Sequence, residues 1–177
     1  ELSLEHLGVE RLDSLVLHGP ALAKGLNRDD WEVWGAMEAL VAGGRLRFLG
    51  VSNIALNQLQ TLCRDAKVAP RFVQNRCYAS RGWDRPIRAF CKAGGLVYQG
   101  FSLLTANPKV MAAPQLLAIA ERHGRAASQI IFRFAVEVGM LPLTGTRDAQ
   151  HMSADLDIFD FNLAPEEIAV IEALTGA

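Results

Sequence analysis

The sequence predicts an α/β protein with five parallel strands and outer helices, which make up an incomplete (β/α)8 TIM barrel. Short, almost continuously apolar runs alternate with longer segments of helical spacing, a pattern typical of a parallel sheet covered by helices. Predicted strand ends recur near Ser52, Cys77 and Ser102, twenty-five residues apart each time. No G-x-G-x-x-G motif follows the first strand, which disfavours an open dinucleotide-binding sheet and favours a barrel.

The five predicted strands are the apolar runs at residues 12–18, 46–52, 71–77, 95–102 and 140–146. A complete barrel has eight strands and about 250 residues, so a chain of 177 residues with five strands accounts for only part of one. The chain opens at Glu1, inside a predicted helix that Gly8 ends. We therefore expect residues 1–177 to form the C-terminal part of a larger barrel domain.

The helices are predicted from apolar residues at three- and four-residue steps and from residues that begin or end helices. Asp29 and Asp30 are expected to cap the first long helix, and the pair Gly43–Gly44 is expected to end it. Asp84 is expected to cap another helix. Further helices are predicted over residues 56–62, 114–123 and 128–138, and from about Ala149 and Pro165 onward.

The composition predicts a globular protein that has neither nucleic acid nor a membrane as a partner. The formal net charge is −1, and the chain contains no run of basic residues and no apolar run long enough to span a bilayer. Cys63, Cys77 and Cys91 are widely spaced, so we interpret them as free thiols in a reducing compartment, with no disulfide and no metal site. The cytoplasm is the expected location.

Polar residues stand at or near the C-terminal end of every predicted strand. They are His18, Ser52, Asn53, Gln74, Asn75, Ser102, Thr144 and Thr146. In a barrel the C-terminal strand ends converge on one mouth, which carries the active site. A single serine or asparagine here more often completes a turn, and a lone histidine is more often structural. Five coincident polar strand ends favour a polar site at the mouth.

Several stretches of the chain are recognisable when taken together. They are "RLDSLVLHGP" (11–20), "GRLRFLGVSN" (44–53), "FVQN" (72–75), "VYQGFSLL" (97–104) and "GTRDAQHMSADLDIFDFNLAPEEIAVIEAL" (145–174). In this order they resemble strands four to seven, the cofactor-phosphate loop and the closing helix of the aldo-keto reductases. The resemblance implies an NADP(H)-dependent oxidoreductase that reduces aldehydes or ketones to alcohols. Its expected ligands are NADP, with NAD as the alternative, and a small-molecule carbonyl substrate.

The resemblance also implies roles for individual residues. His18 is similar to the catalytic histidine that donates a hydrogen bond to the substrate carbonyl. Ser52, Asn53 and Gln74 resemble the side chains that hold the nicotinamide carboxamide. Phe101 takes the place of a tyrosine that stacks on the nicotinamide. The expected pyrophosphate and phosphate contacts are Ser102, Leu104, Gly145, Thr146 and Arg147.

Besides Phe101, the chain departs from the family pattern at three further positions of the expected site. His151 stands where many members carry an arginine for the 2′-phosphate, and Asp155 stands where an asparagine or glutamate is usual near the adenine. Both changes weaken the preference for NADP, since histidine is the weaker anion partner and a carboxylate repels phosphate. Gly19 takes the place of a tryptophan and is expected to open the substrate pocket.

The proton-donor machinery that the resemblance implies has no counterpart in this sequence. The family uses a tyrosine with a lysine and an aspartate that precede strand four, whereas Tyr78 and Tyr98 match later, non-catalytic positions. All the lysines follow His18. We therefore expect the chain alone to be inactive, because reduction needs an acid to meet the developing alkoxide.

Two other functions stay open on this sequence. The chain can be a cofactor-binding regulatory or interaction protein on the same barrel, or it can be an inactive short homologue. In the latter case the outer strands leave unpaired edges that favour association, so a homo-oligomer is also kept open.

Overall fold

The computed structural model describes residues 2–175 and contains five parallel strands in the order β1-β2-β3-β4-β5. The chain divides into two compact units. The first comprises Glu1–Asn75 and Phe90–Val97, and the second comprises Arg76–Ala89 and Tyr98–Ala177. Glu1, which was predicted to lie inside the first helix, lies outside the described residues.

All five predicted strands are present within the predicted limits. They are β1 Leu12–Leu17, β2 Leu46–Ser52, β3 Phe72–Arg76, β4 Val97–Phe101 and β5 Met140–Leu143. The pairs β1–β2, β2–β3 and β4–β5 are parallel. The predicted α/β class is therefore confirmed. Each strand ends one to three residues before the predicted limit, except β2, because residues such as His18 and Ser102 already belong to the following loops.

The helices also agree with the periodic pattern. They are α1 Leu2–Leu7, α2 Arg28–Ala42, α3 Leu56–Asp65, α4 Arg85–Gly94, α5 Pro108–Met111, α6 Pro114–His123, α7 Ala127–Glu137, α8 Ala149–Leu156 and α9 Pro165–Ala173. The short helix α5 and the two 3-10 turns at Ala79–Asp84 and Asp157–Phe159 were not predicted. They are too short to show a helical period in the sequence.

The cap of α2 differs from the prediction. Its N-cap is Asn27, whose side chain accepts a hydrogen bond from the Asp30 backbone N–H at 2.9 Å. The Asp30 carboxylate accepts one in return from the Asn27 N–H, also at 2.9 Å. The assignment of the cap to Asp29 and Asp30 was wrong. Asn27 is an equally good capping residue, and Asp30 instead completes a reciprocal capping box.

The first unit packs its strands very closely at Gly50 of β2. A Cβ at this position would lie 2.9 Å from a side-chain carbon of Val16 in β1 and 3.1 Å from Cβ of Phe72 in β3. Only glycine fits between the two neighbouring strands without displacing them. This contact holds β1, β2 and β3 close together, at a position two residues before Ser52 ends β2.

The core of the second unit is built around Trp83, which has no exposed surface. Its indole packs edge-on against Phe134 with ring centroids 5.2 Å apart, and its Nε1 donates to the Ile171 carbonyl at 3.2 Å. Arg88 is buried nearby and donates to the Trp83 carbonyl at 2.8 Å and to Glu172 at 2.6 Å. These contacts hold the turn after β3 against α7 and α9.

Two further observations bear on the expectations from composition. None of the helices within residues 2–175 is both long and apolar enough to cross a bilayer. Cys63, Cys77 and Cys91 are free thiols, as predicted, and the last two are buried.

Candidate active site

The first unit brings His18, Ser52 and Asn53 together at the ends of two adjacent strands. His18 follows β1 directly, and Ser52 is the last residue of β2. The Asn53 amide nitrogen Nδ2 donates to the His18 carbonyl oxygen at 2.8 Å and to Ser52 Oγ at 3.1 Å. Ser52 is buried, whereas His18 and Asn53 are exposed. Asn53 therefore connects the histidine to the neighbouring strand end.

The third strand end adds Gln74 and Asn75 to the same unit. Gln74 lies beside Ser52 in the β2–β3 register, and its carbonyl oxygen accepts from the Asn53 N–H at 3.0 Å. The buried Asn75 side chain accepts from the Ile54 N–H at 3.0 Å and donates to the Ile54 carbonyl at 2.9 Å. Asn75 thus positions the loop that carries Asn53. The sequence placed Asn75 among the polar strand ends without predicting this positioning role.

Gly19 lies tightly against the end of β2. A Cβ at Gly19 would come within 3.2 Å of the Ser52 carbonyl oxygen and 3.3 Å of Asn53 Cβ. The absence of a side chain therefore permits a close backbone approach on this side. The predicted widening of the substrate pocket stays a prediction.

In the second unit, Phe101 ends β4, and Ser102 and Leu104 lie in the loop that follows. Ser102 adopts a positive φ of 56°. The loop is held by Asn107, a buried residue that the sequence analysis missed. Its side chain donates to the carbonyl oxygens of Leu103 and Cys77 at 2.8 and 3.0 Å.

The loop after β5 contains the predicted phosphate-binding residues. Gly145 has open space where a Cβ would point, and Arg147 is exposed. As predicted, α8 begins at Ala149, but the carboxylate of Asp148 already caps it. Asp148 accepts from the Gln150 and His151 N–H groups at 2.8 and 3.2 Å. The backbone donors expected to face a phosphate are therefore partly occupied.

Hydrogen bonds from the backbone of His151, then of Gln150, hold the pKa of Asp148 below its ordinary value. Thr146 Oγ1 accepts from the Asp148 N–H at 3.1 Å, so Thr146 supports this cap. A second carboxylate, that of Asp155, accepts from the Thr144 hydroxyl at 3.0 Å. This segment therefore combines the cationic Arg147 with two carboxylates.

Of the two tyrosines of the chain, Tyr98 has its hydroxyl engaged in a hydrogen bond. Tyr98 is buried and donates its hydroxyl to Asp84 at 2.8 Å. Burial, followed by the charges of Cys77 and Asp84, raises the pKa of Tyr98 well above its ordinary value. Burial also raises the pKa of the Cys77 thiol to about 12. Neither side chain is a ready proton donor or nucleophile near neutral pH.

The groups at the end of β2 suit a nicotinamide carboxamide. Both hydrogens of Asn53 Nδ2 are used within the unit, which leaves Oδ1 as an acceptor among the residues described. Ser52 Oγ accepts from Asn53 and keeps its own hydrogen to donate. One acceptor and one donor match a carboxamide, so Ser52 and Asn53 would hold this group.

The chain consists of repeated βα units with polar residues after each strand. This architecture is that of part of a (β/α)8 barrel. The sequence model of the Aldo/keto reductase family matches residues 1–175. The chain belongs to the aldo/keto reductase family.

Curated relatives and solved structures agree with this assignment. The chain is 30% identical to a glyoxal reductase of Bacillus subtilis over 174 residues, which cover 98% of this chain and 60% of the relative. It is 31% identical to the aldo-keto reductase family 1 member A1 of Cricetulus griseus, over 97% of this chain and 60% of the relative. The chain thus spans about 60% of the length of these relatives.

Among solved structures, the aldo/keto reductase from Brucella melitensis superposes with a TM-score of 0.84 at 27% identity, over 97% of this chain and 63% of that one. MGS-M4, an aldo-keto reductase enzyme from a Medee basin deep-sea metagenome library, superposes with a TM-score of 0.86 at 23% identity. That superposition covers 99% of this chain and 64% of the other. The fold predicted from the sequence is confirmed.

Proposed function

We propose that this chain is the cofactor-holding part of an NAD(P)H-dependent reductase that converts aldehydes or ketones to alcohols. The observation that carries the proposal is the cluster of His18, Ser52 and Asn53 at two adjacent strand ends of an aldo/keto reductase chain. A reduced nicotinamide, when bound, supplies the hydride that a carbonyl carbon accepts. His18, exposed after β1, would donate a hydrogen bond to the carbonyl oxygen and orient the substrate.

The proton donor is proposed to come from outside these residues. Tyr98 is engaged with Asp84 and has a raised pKa, and Tyr78 matches a position without a catalytic role in the family. The relatives extend well beyond the matched region. We accordingly propose that the chain alone is inactive and that the natural protein that carries it is active.

The cofactor is proposed to be NADP or NAD, and the carboxylates of Asp148 and Asp155 favour NAD. A 2′-phosphate near these two groups would be repelled by them, whereas the guanidinium group of Arg147 would attract it. The location is proposed to be the cytoplasm, the partner to be the small carbonyl substrate, and a homo-oligomer is compatible with the proposal.

The test is an assay of the natural protein with NADH or NADPH and simple aldehydes. We expect the nicotinamide absorbance to fall only when an aldehyde is present, and we expect the corresponding alcohol to accumulate. Cofactor that binds without being consumed would instead favour the regulatory alternative. Failure of a folded protein to bind either cofactor would refute both the reductase function and the regulatory alternative.

A further inference from the structure

Arg76, Tyr78 and Arg81 form a compact cationic cluster in the second unit, which the proposed mechanism does not use. The guanidinium carbon of Arg81 lies 4.8 Å from the centre of the Tyr78 ring, and that of Arg76 lies 5.6 Å from it. Both arginines are exposed and Tyr78 is half-buried. One aromatic ring therefore orders two guanidinium groups.

The two guanidinium groups are available to a ligand. Within residues 2–175, neither Arg76 nor Arg81 forms an ion pair with a carboxylate. Some other arginines of the chain are paired with carboxylates, as Arg133 is with Glu137 at 2.7 Å. Two positive charges on one ring repel each other, and an anion that binds both relieves that repulsion.

The ring that carries the cluster is held rigidly. The buried Asn107 side chain accepts from the Ala79 N–H at 2.7 Å and donates to the Cys77 carbonyl at 3.0 Å, which fixes the backbone on both sides of Tyr78. The N–H groups of Arg81 and Trp83 both donate to the Tyr78 carbonyl at 3.1 Å. Ordered side chains lose less entropy when a ligand binds, so this arrangement favours recognition.

The cluster lies beside Phe101, the residue expected to stack on the nicotinamide. The Cys77 N–H donates to the Phe101 carbonyl at 3.1 Å. One face of β4 at Gly100 is buried against Cys77 and Met140. A Cβ at Gly100 would lie 3.6 Å from Cys77 Cβ and 3.2 Å from Met140 Sδ. Because side chains alternate along strands, Arg76 and Phe101 lie on the opposite face.

We propose that Arg76, Tyr78 and Arg81 form a subsite for a carboxylate carried by the carbonyl substrate. Guanidinium groups bind carboxylates through paired hydrogen bonds, and the Tyr78 hydroxyl is a third donor. The inference rests on the proposed reductase function and narrows its substrates to aldehydes or ketones that bear an acid group.

The test compares two aldehydes that differ in charge, 4-carboxybenzaldehyde and methyl 4-formylbenzoate, in the natural protein. The double variant Arg76→Gln/Arg81→Gln should raise KM for the acid about tenfold and leave KM for the ester unchanged. Arg85→Gln, an exposed arginine at the start of α4, is the matched control and should change neither. Tyr78→Phe should weaken the preference for the acid less than Tyr78→Leu, which removes the ring.

An equal KM ratio for the two aldehydes in the wild type and the double variant would overturn the subsite. So would a loss of cofactor affinity in the double variant without any change in KM for the acid, because the arginines would then serve the cofactor. If neither aldehyde is reduced, the reductase function fails and calorimetric titration with benzoate decides the subsite. Benzoate binding that is lost in the double variant supports the carboxylate subsite. Benzoate binding that is absent, or that is unchanged in the double variant, refutes it.

Discussion

The Nδ2 atom of Asn53 lies 2.8 Å from the carbonyl oxygen of His18 and joins the end of β2 to the residue that follows β1. Asn53 itself has a positive φ of 49°, a left-handed conformation that costs roughly 1 kcal/mol for most residues with a Cβ. Its N–H is held by the Gln74 carbonyl at 3.0 Å. The candidate histidine is thus positioned by a residue whose backbone adopts a conformation that most side chains disfavour.

Two substitutions at Asn53 separate the effect of its side-chain hydrogen bonds on stability from the effect of its positive φ. Asn53→Ala removes the side-chain bonds but keeps a Cβ at positive φ, and it should lower the free energy of unfolding by about 2 kcal/mol. Asn53→Gly also removes the bonds but tolerates this φ, so it should be about 1 kcal/mol more stable than the alanine variant. Equilibrium urea unfolding measures both. An alanine variant as stable as the glycine variant would contradict the account of strain.

Asn107 should be important for stability, because it is buried and its side chain bonds to Ala79, Cys77 and Leu103. Asn107→Leu leaves three buried backbone groups without these partners and should cost about 3 kcal/mol in urea unfolding. Asn57→Ala, in the exposed part of α3, should change stability by less than about 0.5 kcal/mol. Similar losses from the two substitutions would show that Asn107 does not hold these loops.

Glu167 should make stability depend on pH under acidic conditions. Burial alone would raise its pKa, but hydrogen bonds from His123, Arg122 and the Ala164 N–H outweigh burial and lower the pKa to about 2 from 4.5. The folded state therefore favours the ionised carboxylate. The resulting stabilisation is complete above about pH 4.5 and disappears as the pH falls toward 2.

Glu167→Gln keeps an acceptor at the start of α9 and removes only the charge. It should lose about 1 kcal/mol at pH 6, since most of this partly exposed interaction is screened, and little at pH 2 to 3. Glu166→Gln, exposed in the same turn, is the control. Thermal unfolding at several pH values measures the difference. A loss of stability in Glu167→Gln that stays constant across this pH range would contradict the lowered pKa of Glu167.

Asp148 should discriminate between the two nicotinamide cofactors. Asp148→Asn keeps a residue that caps α8 and removes a negative charge, so stability should change little. KM for NADPH should fall about threefold, and KM for NADH should change less, because only NADPH carries the 2′-phosphate. Steady-state kinetics of the natural protein with both cofactors measures this ratio. An unchanged ratio would show that Asp148 does not face the 2′-phosphate.

Much of the fold could be predicted from the sequence because apolar periodicity and turn residues act locally. The limits of β2 and the start of α9 follow directly from such signals. The α2 cap could not be resolved, since Asn27, Asp29 and Asp30 are all good capping residues and only the folded chain selects among them.

The candidate site was predicted less completely. The polar strand ends identified His18, Ser52, Asn53 and Gln74 as neighbours, and their individual roles rest on family resemblance. Asn107 was missed because its partners Cys77 and Ala79 lie about 30 residues earlier in the chain. A single buried asparagine that bonds across such a distance leaves no pattern in the sequence.

The most direct test of the central claim is the kcat/KM of the natural protein for aldehyde reduction, before and after His18→Ala. His6→Ala, an exposed histidine in α1, is the matched control and should leave kcat/KM unchanged. If His18 orients the substrate carbonyl, its substitution should lower kcat/KM about 100-fold or more and preserve cofactor binding. An unchanged kcat/KM in a folded His18→Ala protein would contradict the account.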